Sequence, residues 1–183
     1  MSDIIIRPAT LADIPDLEAL IVSSVQGLQA KDYTQQQRDG ALGKVFGVDR
    51  QLIVDQTYLI AEKDGAIVGC GGWSRRRTLF GSDAITAKDD AVLRPGVDAA
   101  RIRAFFIEPD HARQGIGSKI MQACEAAAFA YGFTELELVA TLTGENLYRR
   151  HGFIEVERYA TPLDNGLDLA VVRMKKILNH YKS

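Results

Sequence analysis

Reactive chemistry is concentrated in two short runs of the chain. The first is Phe105-Phe106-Ile107-Glu108-Pro109-Asp110-His111-Ala112-Arg113-Gln114-Gly115-Ile116-Gly117-Ser118-Lys119: a bulky β-prone piece, a break, and a glycine pair opening an amphipathic stretch. A helix start exposes unpaired N–H groups and the positive end of the helix dipole, and glycines let a bulky anion approach the main chain. Phosphate binding is the chemistry this arrangement suits. The dinucleotide GxGxxG pattern fails, since Lys119 and Ile120 stand where its third glycine is due, and no glycine–lysine pair makes it a Walker loop. The second run is Tyr148-Arg149-Arg150-His151-Gly152-Phe153, a phenol four residues ahead of a Gly-Phe pair. Such a phenol can donate a proton or simply pack a short helix on a sheet, and residue types alone leave both open.

Regular elements must hold these runs in place, and the hydrophobic pattern supplies them. Residues 4–7, 101–107 and 135–141 read as strands, while 57–62 and 66–73 form a hairpin turned by Asp64-Gly65. Thr10 with Asp13 is a capping-box pair ahead of the helical stripe Ile14, Leu17, Ile21, Val25 and Leu28. Residues 35–51 suit one or two short helices. Ile116, Ile120, Met121, Cys124, Ala127, Ala128 and Tyr131 share one face of a helix that begins near Gly115 and is ended by Gly132. A short helix over 147–151 stops at Gly152, and strands over 153–159 and 167–175 flank a turn cluster at Asn165-Gly166. Residues 74–100 are too long for a hairpin turn, and loops of that length are uncommon unless functional.

The glycine loop, the spacing of Tyr148 to Gly152-Phe153, the Arg7-Pro8-Ala9 opening and Asp13-Ile14-Pro15 together resemble the GNAT superfamily, the GCN5-related, acetyl-CoA-dependent N-acetyltransferases. The resemblance covers residues 4–176. It implies an α+β fold of α/β/α layers: a mixed, mostly antiparallel seven-stranded sheet flanked by about four helices, with strands 101–107 and 135–141 parallel and splayed into an acetyl-CoA cleft. It further implies that the main chain of Phe105, Phe106 and Ile107 pairs with the pantetheine arm like an added strand. The N–H groups of Arg113, Gln114, Gly115, Ile116, Gly117 and Ser118 would hold the pyrophosphate, and Tyr148 would be the general acid. Two positions depart from the family pattern. Thr143 stands where many members carry an asparagine touching the cofactor, and Ala112 where Arg or Gln is usual, leaving Arg113 to supply the charge.

Acetyl transfer makes its own demands. An amine with a pKa of about 10 is mostly protonated at neutral pH and must lose a proton before attacking a thioester. Charge developing on the carbonyl oxygen calls for a donor, expected to be a backbone N–H near Phe106 or Ile107. The departing thiolate would take its proton from Tyr148. No base is assigned: Leu138 stands where some members place a glutamate, Glu137 should face the other side of the sheet, and Glu108 or a water near Asp98 are the candidates. The acceptor is a small-molecule, peptide or protein amine, covered by residues 74–100, and Trp73 either lines its pocket or, as a single tryptophan more often does, packs in the core. Arg75, Arg76, Arg77, Arg101 and Arg103 either offer forked donors to an acceptor carboxylate or pair with Asp83, Asp89, Asp90 and Asp98. His111, His151 and His180 have no ligand spacing, so they are expected at the surface and no metal is implied; Cys124 belongs to the core. The alternative is a non-catalytic acyl-CoA-binding sensor on the same fold, favoured by the departures at Ala112, Leu138 and Thr143.

Composition bounds the rest. With 183 residues, 46% hydrophobic and 25% charged, the chain suits one domain over residues 1–183 with a core that needs no disulfide or metal. Twenty-two basic residues against 24 acidic give a net charge of -2 and no general attraction to nucleic acid or anionic membrane. No apolar run approaches the roughly eighteen residues of a spanning helix. Two distant cysteines without a CxxC pair suit a reducing compartment, so a cytoplasmic location is expected, and a homodimer is compatible with it.

Overall fold

Seven strands make one mixed sheet in the computed structural model, which describes residues 3–85 and 89–179. They are β1 (Ile5–Pro8), β2 (Tyr58–Lys63), β3 (Ala66–Ser74), β4 (Ala100–Ile107), β5 (Glu135–Thr141), β6 (Ile154–Pro162) and β7 (Asp168–Ile177), in the order β1-β2-β3-β4-β5-β7-β6. Every neighbouring pair is antiparallel except β4 with β5. Five α-helices accompany the sheet among the described residues, where the family resemblance implies about four: α1 (Ile14–Leu28), α2 (Gln35–Ala41), α3 (Arg50–Val54), α4 (Ile116–Tyr131) and α5 (Glu145–Arg150). Of the one or two short helices expected over residues 35–51 the structure has two starts, capped by the Thr34 and Asp49 side chains.

Local chemistry explains the boundaries. The β2–β3 turn places Asp64 and Gly65 both at positive φ (52° and 79°), the conformation whose twist suits a two-residue hairpin. Thr10 and Asp13 close a capping box, and Arg7 clamps Asp13 through two 2.9 Å bonds. A single 3-10 turn then leads into α1, with Pro15 in the first turn, where a missing N–H is harmless. Gly115 (φ 79°) opens α4 and Gly132 (φ 110°) closes it.

The helices cover opposite faces. Ile116, Ile120, Met121, Cys124 and Ala128 of α4 pack with Ile102, Leu136, Leu138 and Met174, whereas Leu17, Ile21 and Val25 of α1 pack with Ile60, Cys70 and Phe106. Ile102 and Phe106 are four residues apart on β4 yet belong to different faces. The cause is a bulge: Cys70 pairs with Phe106 and Gly72 with Arg103, so Ala104 and Phe105 oppose Gly71 alone. Trp73 pairs with Ile102 and therefore faces α4, buried against Tyr131 and Phe133 at 5.6 and 6.2 Å between ring centroids, the packing alternative of the two readings. Tyr131, expected on the buried face, lies over that tryptophan and stays exposed. Parallel pairing of β4 and β5 is limited to Ala100 with Leu136 and Arg101 with Glu137; beyond these the strands part. Among the described residues no helix is long and apolar enough to cross a membrane.

Candidate active site

From Ile102 onward the β5-facing edge of β4 has no strand partner, while β5 is paired with β7 along its whole length. A cavity of about 700 Å³ opens in the gap. Its β4 wall is shaped by the bulge, where Ala104 adopts φ 58°, and its carbonyl receives the Tyr58 hydroxyl at 3.4 Å. Gly71 is required here, since a Cβ would come within 2.6 Å of the Phe105 ring. Of the donors expected from Phe106 and Ile107, that of Ile107 is engaged in this structure. Phe106 pairs with Cys70 across the β3–β4 ladder, and Ile107 N–H donates to Ser24 Oγ at 3.2 Å.

Two left-handed residues, Arg113 (φ 61°) and Gly115 (φ 79°), bend the chain from a 3-10 turn over Pro109–His111 into α4. Among the described residues no protein acceptor takes the N–H of any residue from Arg113 to Ser118. Arg113, Gly115, Ile116, Gly117 and Ser118 line the cavity together with His111 and Ala112. Gln114 does not; its side-chain amide turns back to the Asp110 carbonyl at 3.4 Å. A Cβ on Gly117 would meet Leu147 at 3.1 Å, so the helix start packs tightly on α5. His151 is not a surface residue. Its Nε2 lies 3.0 Å from Ser118 Oγ, and its Nδ1 is 3.9 Å from Glu125, which Lys176 holds at 2.7 Å. Burial lowers the His151 pKa, the nearby Glu125 opposing it, which keeps the ring neutral at pH 7. His111 is also partly buried, with Nδ1 enclosed and unpaired, and His180 lies outside the described residues.

Tyr148 reaches the cleft from α5, whose first turn is fixed by Gly144 N–H donating to Thr141 Oγ1 at 3.0 Å. Its ring sits edge-on to Phe105 and Phe153, 6.1 and 6.0 Å between centroids. Burial first, and Cys124 nearby, push the phenol well above its ordinary pKa, so it is protonated at neutral pH. No protein hydrogen bond holds its hydroxyl among the described residues. Thr143 lines the cavity, but its hydroxyl donates to Asp32 at 2.7 Å. Thr141, Asn146 and Arg150 also line it, unforeseen from sequence.

The five arginines are all ion-paired. Arg75 and Arg76 meet Asp55 at 3.5 and 2.7 Å, Arg77 meets Asp89 at 3.4 Å, Arg101 meets Glu137, and Arg103 meets Asp49 at 2.6 Å. Only Asp89 belongs to the expected partners, and of the five arginines Arg103 alone is among the lining residues. The segment 74–100 does reach the cleft, through Leu79, Phe80 and Gly81; its residues 86–88 lie outside the described ones. Glu108 accepts from Ser23 at 2.8 Å and Asp98 from the Arg94 N–H at 2.7 Å, and neither is a lining residue.

Residues 54–155 match the acetyltransferase (GNAT) domain family, more than half of the chain. The protein belongs to the GNAT acetyltransferases, and is an acyltransferase. The GNAT match runs from the end of α3 into β6, taking in the bulge, the glycine loop and Tyr148, and leaves α1 and α2 outside. Solved structures agree on the fold. A GCN5-related N-acetyltransferase from Rhodopseudomonas palustris is 22% identical, with a TM-score of 0.71 over 97% of this chain and 98% of that one. The PaiA N-acetyltransferase of Thermoplasma acidophilum, solved with coenzyme A, is 14% identical with a TM-score of 0.61 over 96% and 99%. A ribosomal-protein-alanine N-acetyltransferase from Brucella melitensis is 20% identical with a TM-score of 0.62 over 95% and 99%. No curated protein sequence matches the chain.

Proposed function

We propose that this protein moves an acetyl group from acetyl-CoA to a primary amine by direct attack in a ternary complex, with Tyr148 as general acid. The observation that carries the reading is the unpartnered, protonated phenol of Tyr148, set against Phe105 at the unpaired edge of β4 and beside a loop of unpaired N–H groups. The residues present fit the donor. N–H groups of Arg113 to Ser118, with the Arg113 and Arg150 guanidiniums, suit a pyrophosphate, and the open edge at Phe105, Phe106 and Ile107 suits the amide-bearing pantetheine arm. Gln114 contributes through its N–H only, and Thr143 through its main chain, because its hydroxyl is taken by Asp32.

Acetyl-CoA supplies an activated thioester. A backbone N–H of β4 near Phe106 or Ile107 would meet the charge that develops on the carbonyl oxygen, the Ile107 N–H once it leaves Ser24. As the new N–C bond forms, the C–S bond breaks; the amine's proton passes to water and the sulfur takes the Tyr148 proton, which solvent replaces. A thiolate of pKa about 8–9 leaves readily, so the help from Tyr148 falls at or below the low end of the usual 10²–10⁴-fold range. Cys70 and Cys124 are buried free thiols, in keeping with a reducing, cytoplasmic setting. The test is continuous detection of free thiol from acetyl-CoA with a panel of primary amines, paired with mass analysis of the amine. Thiol should appear only with an amine present and in step with acetylated product; CoA binding without any amine-dependent release would refute the proposal.

A further inference from the structure

The glycine loop is backed by a chain of polar side chains that acetyl transfer, as proposed above, leaves unused. Ser118, in the first turn of α4, lines the cavity, and its Oγ is 3.0 Å from Nε2 of His151. His151 caps the C-terminus of α5 and is not itself a lining residue, so Ser118 stands between the ring and the cavity. On the far side of the ring, Nδ1 is 3.9 Å from Glu125 Oε1, and Lys176 of β7 reaches the same oxygen at 2.7 Å. The three side chains behind Ser118 are largely buried. Burial lowers the pKa of the ring most; of the charged groups around it, Glu125 of α4 raises it, and Lys176 of β7 and Arg150 of α5 lower it.

Holding α5 on α4 does not require this chain. Leu147 already packs against Gly117 at the same junction, and apolar contacts join two helices without the desolvation that a buried carboxylate and ammonium cost. What the chain adds is a hydrogen bond whose direction follows the protonation of the ring. Glu125, the acceptor nearest Nδ1, places the proton of the neutral imidazole there, so Nε2 accepts from the Ser118 hydroxyl and uses its only hydrogen. An imidazolium donates from Nε2 instead, which frees that hydrogen for an anion.

We infer that His151 is a positioning residue for the cofactor: through Ser118 it couples the grip on the pyrophosphate to a proton, which the ring takes up from solvent as CoA binds. The inference rests on the pyrophosphate lying at Arg113–Ser118, as proposed above. Phosphate charges arriving at the loop favour the imidazolium by Coulomb attraction and accept the hydroxyl hydrogen that Nε2 releases. Before binding, the buried ring is mostly neutral at pH 7. By linkage, affinity rises as pH falls through the range in which the bound ring is protonated and the free ring is not.

The experiment is calorimetry of 3′-dephospho-CoA binding between pH 6.0 and 7.5, each pH in buffers of different ionisation enthalpy, with the parent, His151→Gln and Ser118→Ala. Dephospho-CoA omits a phosphate monoester whose second pKa of about 6 would titrate in the same window, and its pyrophosphate stays fully ionised. Glutamine can hold Ser118 as the ring does but does not titrate. His111, which also lines the cavity, is present in all three proteins, so a difference between them belongs to the Ser118–His151 pair. From pH 7.5 to 6.0 the parent should bind about threefold more tightly, an average uptake of about 0.3 proton per ligand. His151→Gln should bind within about twofold of the parent at pH 7.5 and lose both the pH dependence and the uptake. Ser118→Ala, which cuts the link and leaves the ring, should lose most of the pH dependence as well. Equal uptake in the parent and His151→Gln overturns the inference, and so does a pH dependence that survives in Ser118→Ala. Binding by the parent without proton uptake sinks this inference alone; no binding of CoA or dephospho-CoA at any pH takes the cofactor reading down with it.

Discussion

One half of the cleft is built by β4, the glycine loop and α5, the other by α1, the loops after it and the segment between β3 and β4. In the proposed reaction the first half works mainly through backbone: the N–H groups from Arg113 to Ser118, the unpaired edge of β4, and a bulge at Ala104 and Phe105, with Tyr148 as its proton donor. The second half presents side chains, among them Gln29, Phe46 and Phe80, drawn from three separated stretches. A backbone site needs only a local conformation, which glycines and a bulge supply, so it can be the same whatever the acceptor. A side-chain wall can change without disturbing it. The family match covers the first half together with the β3–β4 segment, and omits α1 and α2.

The division can be broken by substitution, and the largest effect is expected where both halves share a part. Gly71→Ala should destabilise the fold by about 1–3 kcal/mol in urea unfolding, because its Cβ would overlap the Phe105 ring across the bulge, and transfer should fall with it. An unchanged midpoint would mean that the bulge is not held by that contact. Gly117→Asp should weaken CoA binding at least tenfold, about 1.4 kcal/mol, by calorimetry, in a variant whose fold is checked by its unfolding midpoint, since its Cβ requires the Leu147 side chain to give by a few tenths of an ångström while an acid in the first turn of α4 suits the helix dipole. Full affinity in the folded variant would remove the loop from the cofactor half. Tyr148→Phe should lower turnover by up to about tenfold and leave CoA affinity alone. Because the phenol pKa is raised, the acid form persists as pH climbs, so turnover should show no fall below about pH 10 that Tyr148→Phe abolishes. Smallest of all, Arg76→Ala removes a pair with Asp55 outside the cleft, and kcat/KM should stay within about twofold even for a carboxylate-bearing amine. A larger, substrate-selective change would bring the arginine run back into the acceptor half.

How far the sequence can be read follows the same line. Strands, the α4 stripe and its two glycine caps depend on neighbours within a few residues, so periodicity and turn chemistry locate them; the glycine loop and Tyr148 are legible for that reason. The bulge is not announced by β4 itself. Its trace lies on the partner strand, where Gly69, Gly71 and Gly72 fall inside β3, and glycines within a strand mark bulges or close approaches. Missing it leaves Ile102 and Phe106 on one face when they occupy two. The pairs of Arg75, Arg76 and Arg103 turn on Asp49 and Asp55, at either end of α3, which no local pattern links to them. The place of His151 escapes notice because a histidine without ligand spacing reads as a surface residue; only the fold brings it against Ser118.

Backbone amide chemical shifts recorded on addition of CoA test the central claim most directly, since they report on the main chain residue by residue. Large shifts and slowed exchange confined to Phe105–Ile107 and Arg113–Ser118, with Gln29 and Phe80 little moved until an amine is added, are the expected result. Saturating CoA that leaves the Arg113–Ser118 amides unshifted, or that moves chiefly the α1 side of the cavity, would contradict it.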